Sequence, residues 1–274
     1  MTAQPPHASF LPDDGHLPEE ARRLIRAARP KAWIPFIITA ALGVALLVWV
    51  LLALPDLPEQ VPTHWGPDGT PEEWSATSFG TVAMGPLIGL GTAAMMAGVA
   101  ALLPAMTPGL PPDGRSDWAR VRGHGVHFGM ISALGWICLL VMLMTALPTA
   151  EILLGALDGL PWWALPLTMT VLMPGIFAAL SGSMRRWHRW AEDTSTAFGF
   201  HASAEERAEE ERWTATGLMN DPDEPSIMVS RREGYGVGAT VNIGSPGGRL
   251  LYRGFLLLFA VGLPLLFWLL TWPR

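Results

Sequence analysis

Five long apolar runs constrain this chain more than any other feature: Trp33 to Leu54, Gly80 to Leu103, Val126 to Leu147, Pro161 to Ser183 and Gly254 to Trp272. About 20 residues at roughly 1.5 Å of rise each cover the ~30 Å hydrocarbon layer of a bilayer, so each run can form one crossing. The runs contain no Asp, Glu, Lys, Arg or His, apart from His127 at the edge of the third. Only 15% of the residues are charged and 50% are hydrophobic, whereas soluble domains carry roughly 25% charged residues. This excludes a soluble enzyme and a disordered chain. The single cysteine, Cys138, excludes an intrachain disulfide and a cysteine metal cluster. The expected fold class is an all-α polytopic membrane protein with five transmembrane helices and a small cytoplasmic α+β insertion. The apolar but short Glu151 to Leu160, with two acids, reads as a loop or surface turn.

Charge sets the expected orientation. Seventeen of the 18 Lys and Arg lie before the first run, between the second and third, or between the fourth and fifth; only Arg274 lies elsewhere. Basic residues are retained on the cytoplasmic side. The N-terminus is therefore expected in the cytoplasm and the C-terminus outside. The outer loops hold Asp56, Glu59, Asp68, Glu72, Glu73, Glu151 and Asp158 without compensating bases. No cleavable signal peptide is evident. The lipid bilayer is the implied partner, and nothing calls for nucleic acid.

The organisation follows. Residues 1–17 read as a disordered tail. Residues 18–183 form a four-span membrane domain with an outer loop at 55–79. Residues 184–249 form a cytoplasmic helix-hairpin segment, and 250–274 the fifth transmembrane helix. Pro18 to Arg29 reads as a short helix, with acids in its first turn and arginines after them; it would be a headgroup anchor or a solvated extension of the first span. Gly85, Gly89, Ala93, Ala97 and Ala101 form a small-residue stripe suited to close helix packing within the bundle or to homo-oligomerisation. Pro86, Pro166, Pro174 and Pro264 should kink their spans. Trp33, Trp162, Trp163, Trp187, Trp190, Trp268 and Trp272 read as an interfacial belt. Ser203 and Glu206 form a capping box for a helix through Arg212. Ser226 to Arg232 and Tyr235 to Ile243 read as the two strands of a hairpin.

The loop LPDLPEQVPTHWGPDGTPEEWSATSF is the most informative stretch. Pro67-Asp68-Gly69 marks a turn. Thr70, Pro71 and Glu73 carry the N-cap, first-position and N3 signals of a helix, so a short helix is expected before the second span. Leu57-Pro58, Val61-Pro62-Thr63-His64-Trp65, Gly66, Gly69 and Trp74 resemble the membrane domain of unknown function at the N-terminus of SdpI-type bacterial immunity proteins. Trp213, Gly217, Asn220-Asp221-Pro222-Asp223, Val229, Gly236-Val237-Gly238, Asn242 and Gly244 resemble a second small domain of unknown function often attached to such proteins. The resemblance implies a bacterial plasma-membrane protein acting in toxin immunity, signalling or envelope stress.

Candidate chemistry is sparse. His64 among the outer acids could bind a cation or sense pH, but it lacks the ligand spacing of a metal site. His124 and His127 share a helical face without a third ligand in the sequence pattern. Asn220, Asp221, Asp223 and Glu224 lack the glycine and terminal glutamate of a calcium loop. Gly234, Gly236 and Gly238 fall within a strand rather than at a phosphate-binding strand-to-helix turn. No nucleophile, base or metal set of an enzyme is visible, and no cofactor is implied. The uncharged span centres argue against a proton-driven pump. The leading expectation is a non-catalytic protein whose outer loop meets an envelope peptide or toxin through Thr63, His64, Trp65, Gly66 and Trp74, with a regulator or a second copy as further partners. The alternative is a permease-like subunit for a small neutral compound. A membrane-embedded enzyme is a third reading.

Overall fold

The structure, a computed structural model, describes residues 16–66, 69–106, 116–157, 161–231 and 238–272. The tail before residue 16, the Pro67-Asp68 turn, Asp158 and the Glu233-Gly234 turn lie outside the described residues. Ten α-helices and two antiparallel hairpins are present among the described residues. Helices are α1 (Glu19–Ala32), α2 (Ile34–Ala53), α3 (Phe79–Val82), α4 (Met84–Met106), α5 (Asp117–Thr145), α6 (Leu147–Leu153), α7 (Ala164–Ala197), α8 (Ala204–Glu211), α9 (Pro246–Leu257) and α10 (Leu263–Thr271). Strands are β1 (Gln60–Trp65), β2 (Pro71–Ala76), β3 (Met228–Ser230) and β4 (Ala239–Val241).

Five helical stretches are long and apolar enough to cross a bilayer: Glu19–Asp56, Met84–Leu102, Asp117–Thr145, Ala164–Ala197 and Pro246–Thr271. The chain is a multi-pass membrane protein. Leu51, Leu52, Met95, Val171, Leu257, Leu269 and Leu270 are exposed on these helices, as lipid-facing side chains must be. α5 starts nine residues before its apolar run, and α7 continues well past Ser183. Helical hydrogen bonding does not stop where hydropathy does.

Prolines set the interruptions. Proline has no N–H to offer the carbonyl four residues back. Pro35, Pro148 and Pro264 each stand at the second position of a new helix, following Trp33, Ala146 and the π-helical turn Leu258–Gly262. Pro86 likewise leaves the Val82 carbonyl without its usual donor, and the Thr149 hydroxyl donates to it at 2.8 Å. Pro174 lies inside α7.

By contacts the chain divides into two compact units. One comprises the described residues of Met1–Ala32, Gly98–Ala133 and Leu180–Tyr252. Here α1 buries Ala21, Ile25, Ala28 and Ala32 on one face, while Glu19 pairs with Arg22 and Arg26 on the other. Gly125 and Gly129 let α5 approach α7, where an added Cβ would meet the Trp187 carbonyl oxygen at 2.7 Å and Met184 Sδ at 2.8 Å. Phe128 fills the contact, with the Trp187 and Trp190 rings at 5.2 and 5.4 Å. Trp187 is only 3% exposed, so it is a core residue and not part of an interfacial belt. α8 opens with both halves of its Ser203–Glu206 capping box. β3 pairs with β4 through Met228–Val241, Val229–Thr240 and Ser230–Ala239; the turn ends of the two expected strands, at 232 and 235–237, lie outside the described residues.

The second unit comprises the described residues of Trp33–Ala97, Leu134–Ala179 and Arg253–Arg274. The small-residue stripe of α4 packs inside it at Gly85 and Gly89. An added Cβ would meet the Thr145 carbonyl oxygen at 1.9 Å from Gly85 and Met142 Sδ at 2.7 Å from Gly89. Gly85→Leu should therefore cost about 1–3 kcal/mol of stability by overpacking, read as a lower unfolding temperature of the purified protein; an unchanged temperature would show that this contact is slack. Gly135 gives the same freedom to Pro35 and Phe36 of α2. Trp162 meets Trp268 and Trp272 edge-on, and Trp268 donates to Thr170 Oγ1 at 3.0 Å.

Two expectations fail here. Residues 71–76 form strand β2, not a helix. A helix of six residues gains too few internal hydrogen bonds to offset its nucleation, whereas the strand pairs with β1 along its length. The helical N-cap falls at Ser78, whose hydroxyl accepts from the Thr81 N–H at 3.1 Å. The second failure is the start of the expected turn at Glu151 to Leu160: Glu151 to Leu153 belong to helix α6 and Glu151 is buried, while residues 154–157 are turn-like and 158–160 lie outside the described residues.

Candidate functional site

The β1–β2 hairpin is the feature that the first outer loop builds. Both strands are edges, so Pro62 and Pro71 are tolerated where a central strand would need their N–H groups. The register runs Gln60–Ala76, Val61–Ser75, Pro62–Trp74, His64–Glu73 and Trp65–Pro71, with irregularities on both sides of His64. The Thr77 N–H donates to the Glu59 carbonyl at 2.9 Å and closes the open end. At the turn, Gly66 N–H donates to Thr70 O at 2.8 Å and Gly69 N–H to Gly66 O at 2.9 Å. Gly69 has φ +84°, a left-handed conformation that a Cβ would strain.

A small apolar core seats the hairpin. Val61, Val50, Val82, Ala83 and Ile152 are buried together, with Leu47, Leu54, Leu57, Phe79, Leu153 and Leu157 packed around them. One face of β1 thus turns inward through Val61, and β2 is exposed over most of its length.

The structure splits the five sequence-predicted residues into two groups. His64 and Trp74 face outward; Trp74 is 47% exposed, and His64 Nε2 stands 3.5 Å from Glu72 Oε2. Both partners of that pair are mostly exposed, so its contribution is small. Thr63 is half-buried and spans the strands, with its hydroxyl 3.2 Å from Ser75 Oγ and donating to the Glu73 carbonyl at 3.4 Å. Trp65 and Gly66 turn inward, and the Trp65 indole nitrogen is buried. His64, Glu72, Glu73 and Trp74 are all exposed on the hairpin, and His64 and Glu72 approach one another across its strands.

Sequence reasoning passed over Glu151. It lies on α6 beside Ile152 of the seat and is 4% exposed, and both carboxyl oxygens are buried with no partner in good hydrogen-bond geometry. Burial pushes its carboxyl up from 4.5 to about 7, and the Trp65 indole acts in the opposite direction. The signal was present as a lone acid in the apolar stretch Leu147-Pro-Thr-Ala-Glu-Ile-Leu-Leu.

In the other unit, the motif around Asn220 is held by side-chain to backbone bonds. Asp221 accepts from the Asp223 N–H at 2.9 Å and from Arg212 Nε at 2.6 Å, and these hold its carboxyl below the ordinary range. Gly217 has φ +78°. Among the described residues, no three His, Cys, Asp or Glu side chains converge as a metal site, and that includes the surroundings of His124 and His127.

Residues 34–90 match a family described as a domain of unknown function (DUF1648). The matched stretch contains α2, the whole hairpin, α3 and the start of α4, and it ends before α6. No curated protein and no solved structure matches the chain.

Proposed function

We propose that this multi-pass membrane protein is a non-catalytic contact protein of the SdpI type. In this reading the β1–β2 hairpin meets an envelope peptide or toxin on the extracytoplasmic side. The observation that carries it is the exposure of His64, Glu72, Glu73 and Trp74 on one small, braced hairpin; exposed aromatic and charged groups in such a setting favour recognition. The acidic character suits a cationic peptide. The confinement of nearly all Lys and Arg to one set of loops supports an outer location for the hairpin. Trp65 and Gly66 serve by holding the strand on its seat, while Thr63 ties the strands together.

The test uses cells lacking the native protein and challenged with cationic envelope-active peptides. His64→Ala with Trp74→Ala should weaken protection by about tenfold or more, at unchanged membrane abundance. Reporter fusions after Thr77 and after Asp193 should fall on opposite sides of the membrane. Full protection by the double variant removes the hairpin from the mechanism. Fusions on one side remove the orientation.

A further inference from the structure

Glu151 is a buried carboxyl group on α6, the helix that β1 contacts. No partner meets either oxygen in good hydrogen-bond geometry, and the buried Trp65 indole N–H is the donor that acts on the carboxyl, favouring its charged form against the larger cost of burial. A carboxylate stranded in this way is strongly disfavoured against its hydrated form. Two routes relieve it: the group takes a proton and stays, or the structure opens and admits water.

Among the described residues, no other charge compensates. Neither α2 nor α4 carries an Asp, Glu, His, Lys or Arg, and residues 134–145 of α5 and the rest of α6 carry none either. On the hairpin, His64, Glu72 and Glu73 are exposed, and Asp56 and Glu59 at its base are exposed as well. None of these groups is a cause of the Glu151 shift, which comes from burial with the Trp65 indole opposing it.

We propose that Glu151 is a proton-controlled latch for the hairpin. Protonated, it lets β1 rest on α6 with Trp65 tucked against it. Ionised, it favours release of the Trp65 end of β1, so that water reaches the carboxylate. The element that moves is the one the preceding section assigns to ligand contact. The latch's biological role therefore rests on that reading, whereas its chemistry does not.

The direction follows from linkage. The seated state holds the proton more tightly than an open state in which the carboxyl is hydrated. Raising the pH therefore favours opening across the window from 4.5 to about 7, and the effect levels off above it. That gap limits the change in the opening equilibrium to about 300-fold.

Hydrogen exchange of the full chain in lipid nanodiscs reads this directly in peptides covering residues 57–82. After correction for the intrinsic pH dependence of exchange, wild-type opening should rise up to about 300-fold between about pH 4.5 and about pH 7, then level off. Glu151→Gln, which copies the shape of the protonated acid, should stay seated with no such rise. His64→Ala should keep the wild-type profile. Three results would each overturn the latch: a flat wild-type profile, a slope that survives in Glu151→Gln, or a slope that vanishes in His64→Ala. Because the readout needs no ligand, failure here leaves the contact reading intact. Loss of the contact reading through His64 and Trp74 likewise leaves this profile intact.

Discussion

Replacing Asn242 with alanine is expected to release residues 212–245 from their fold while the long helices persist. The Asn242 side chain is fully buried. Its carbonyl accepts from the backbone N–H groups of Asp221 at 3.1 Å and Gly244 at 2.9 Å. Its amide donates to the carbonyls of Asp221 at 2.9 Å and Glu224 at 2.7 Å. At about 1 kcal/mol net per bond, and more for each partner left stranded, the loss amounts to about 3–5 kcal/mol. The chain passes too closely here for repacking. A Cβ at Gly244 would lie 2.4 Å from Asp221 backbone atoms, and one at Gly248 would lie 1.8 Å from the Asn242 carbonyl oxygen. The three-residue strands β3 and β4 cannot hold this segment alone. Trypsin cleavage after Arg212 and Arg231 should accelerate by about a hundredfold or more. Asn242→Asp should fare no better, since it sets oxygen against the two carbonyls and buries a charge. Wild-type resistance in the alanine variant would show that Asn242 is not the keystone.

The second large effect concerns the docking of α8. Arg122 on α5 reaches Glu210 on α8 with Nε at 2.8 Å and Nη2 at 2.5 Å, and both side chains are largely buried. His188 Nδ1 stands 3.8 Å from the same carboxylate, and the Ser116 hydroxyl donates to Glu206 at 2.7 Å. Removing the guanidinium leaves a poorly solvated carboxylate, so Arg122→Met should cost about 3–5 kcal/mol. Removing both charges should not. Arg122→Met combined with Glu210→Leu is expected within about 1 kcal/mol of wild type, because apolar replacement of a buried pair is close to neutral. Unfolding of the four proteins in a double-mutant cycle checks this. Additive losses would mean that the pair does not act as a unit.

Much of the membrane architecture was legible because one physical quantity dominates it. Trp33 to Leu54 can do little but cross the bilayer, and α2 occupies Ile34–Ala53. The break at Pro264 and the Ser203–Glu206 box were equally readable, since each depends on atoms within a few residues of one another, whereas α7 runs unbroken through Pro166 and Pro174. The outer loop was not. Thr70, Pro71 and Glu73 carry local helix signals, but residues 71–76 pair with β1 as a strand, and β1 is held by packing Val61 against Val50, Val82 and Ile152 from distant parts of the chain. Within the candidate site, the sequence identified the right stretch but not the division between outward His64 and Trp74 and inward Trp65.

The amino-acid order by itself determined where the chain is greasy enough to enter lipid, where Pro264 and the Ser203–Glu206 cap punctuate its helices and which loops carry charge. These outcomes follow from hydropathy, missing N–H groups and short-range capping, all summed over neighbours in the chain. Tertiary structure alone decided that Glu151 is buried on the helix that β1 contacts, that Arg122 meets Glu210, and that Asn242 ties together strands and turns. Each of these depends on groups far apart in sequence and brought together in space. The energy of a buried charge or amide is set by whatever surrounds it, and not by the residues on either side.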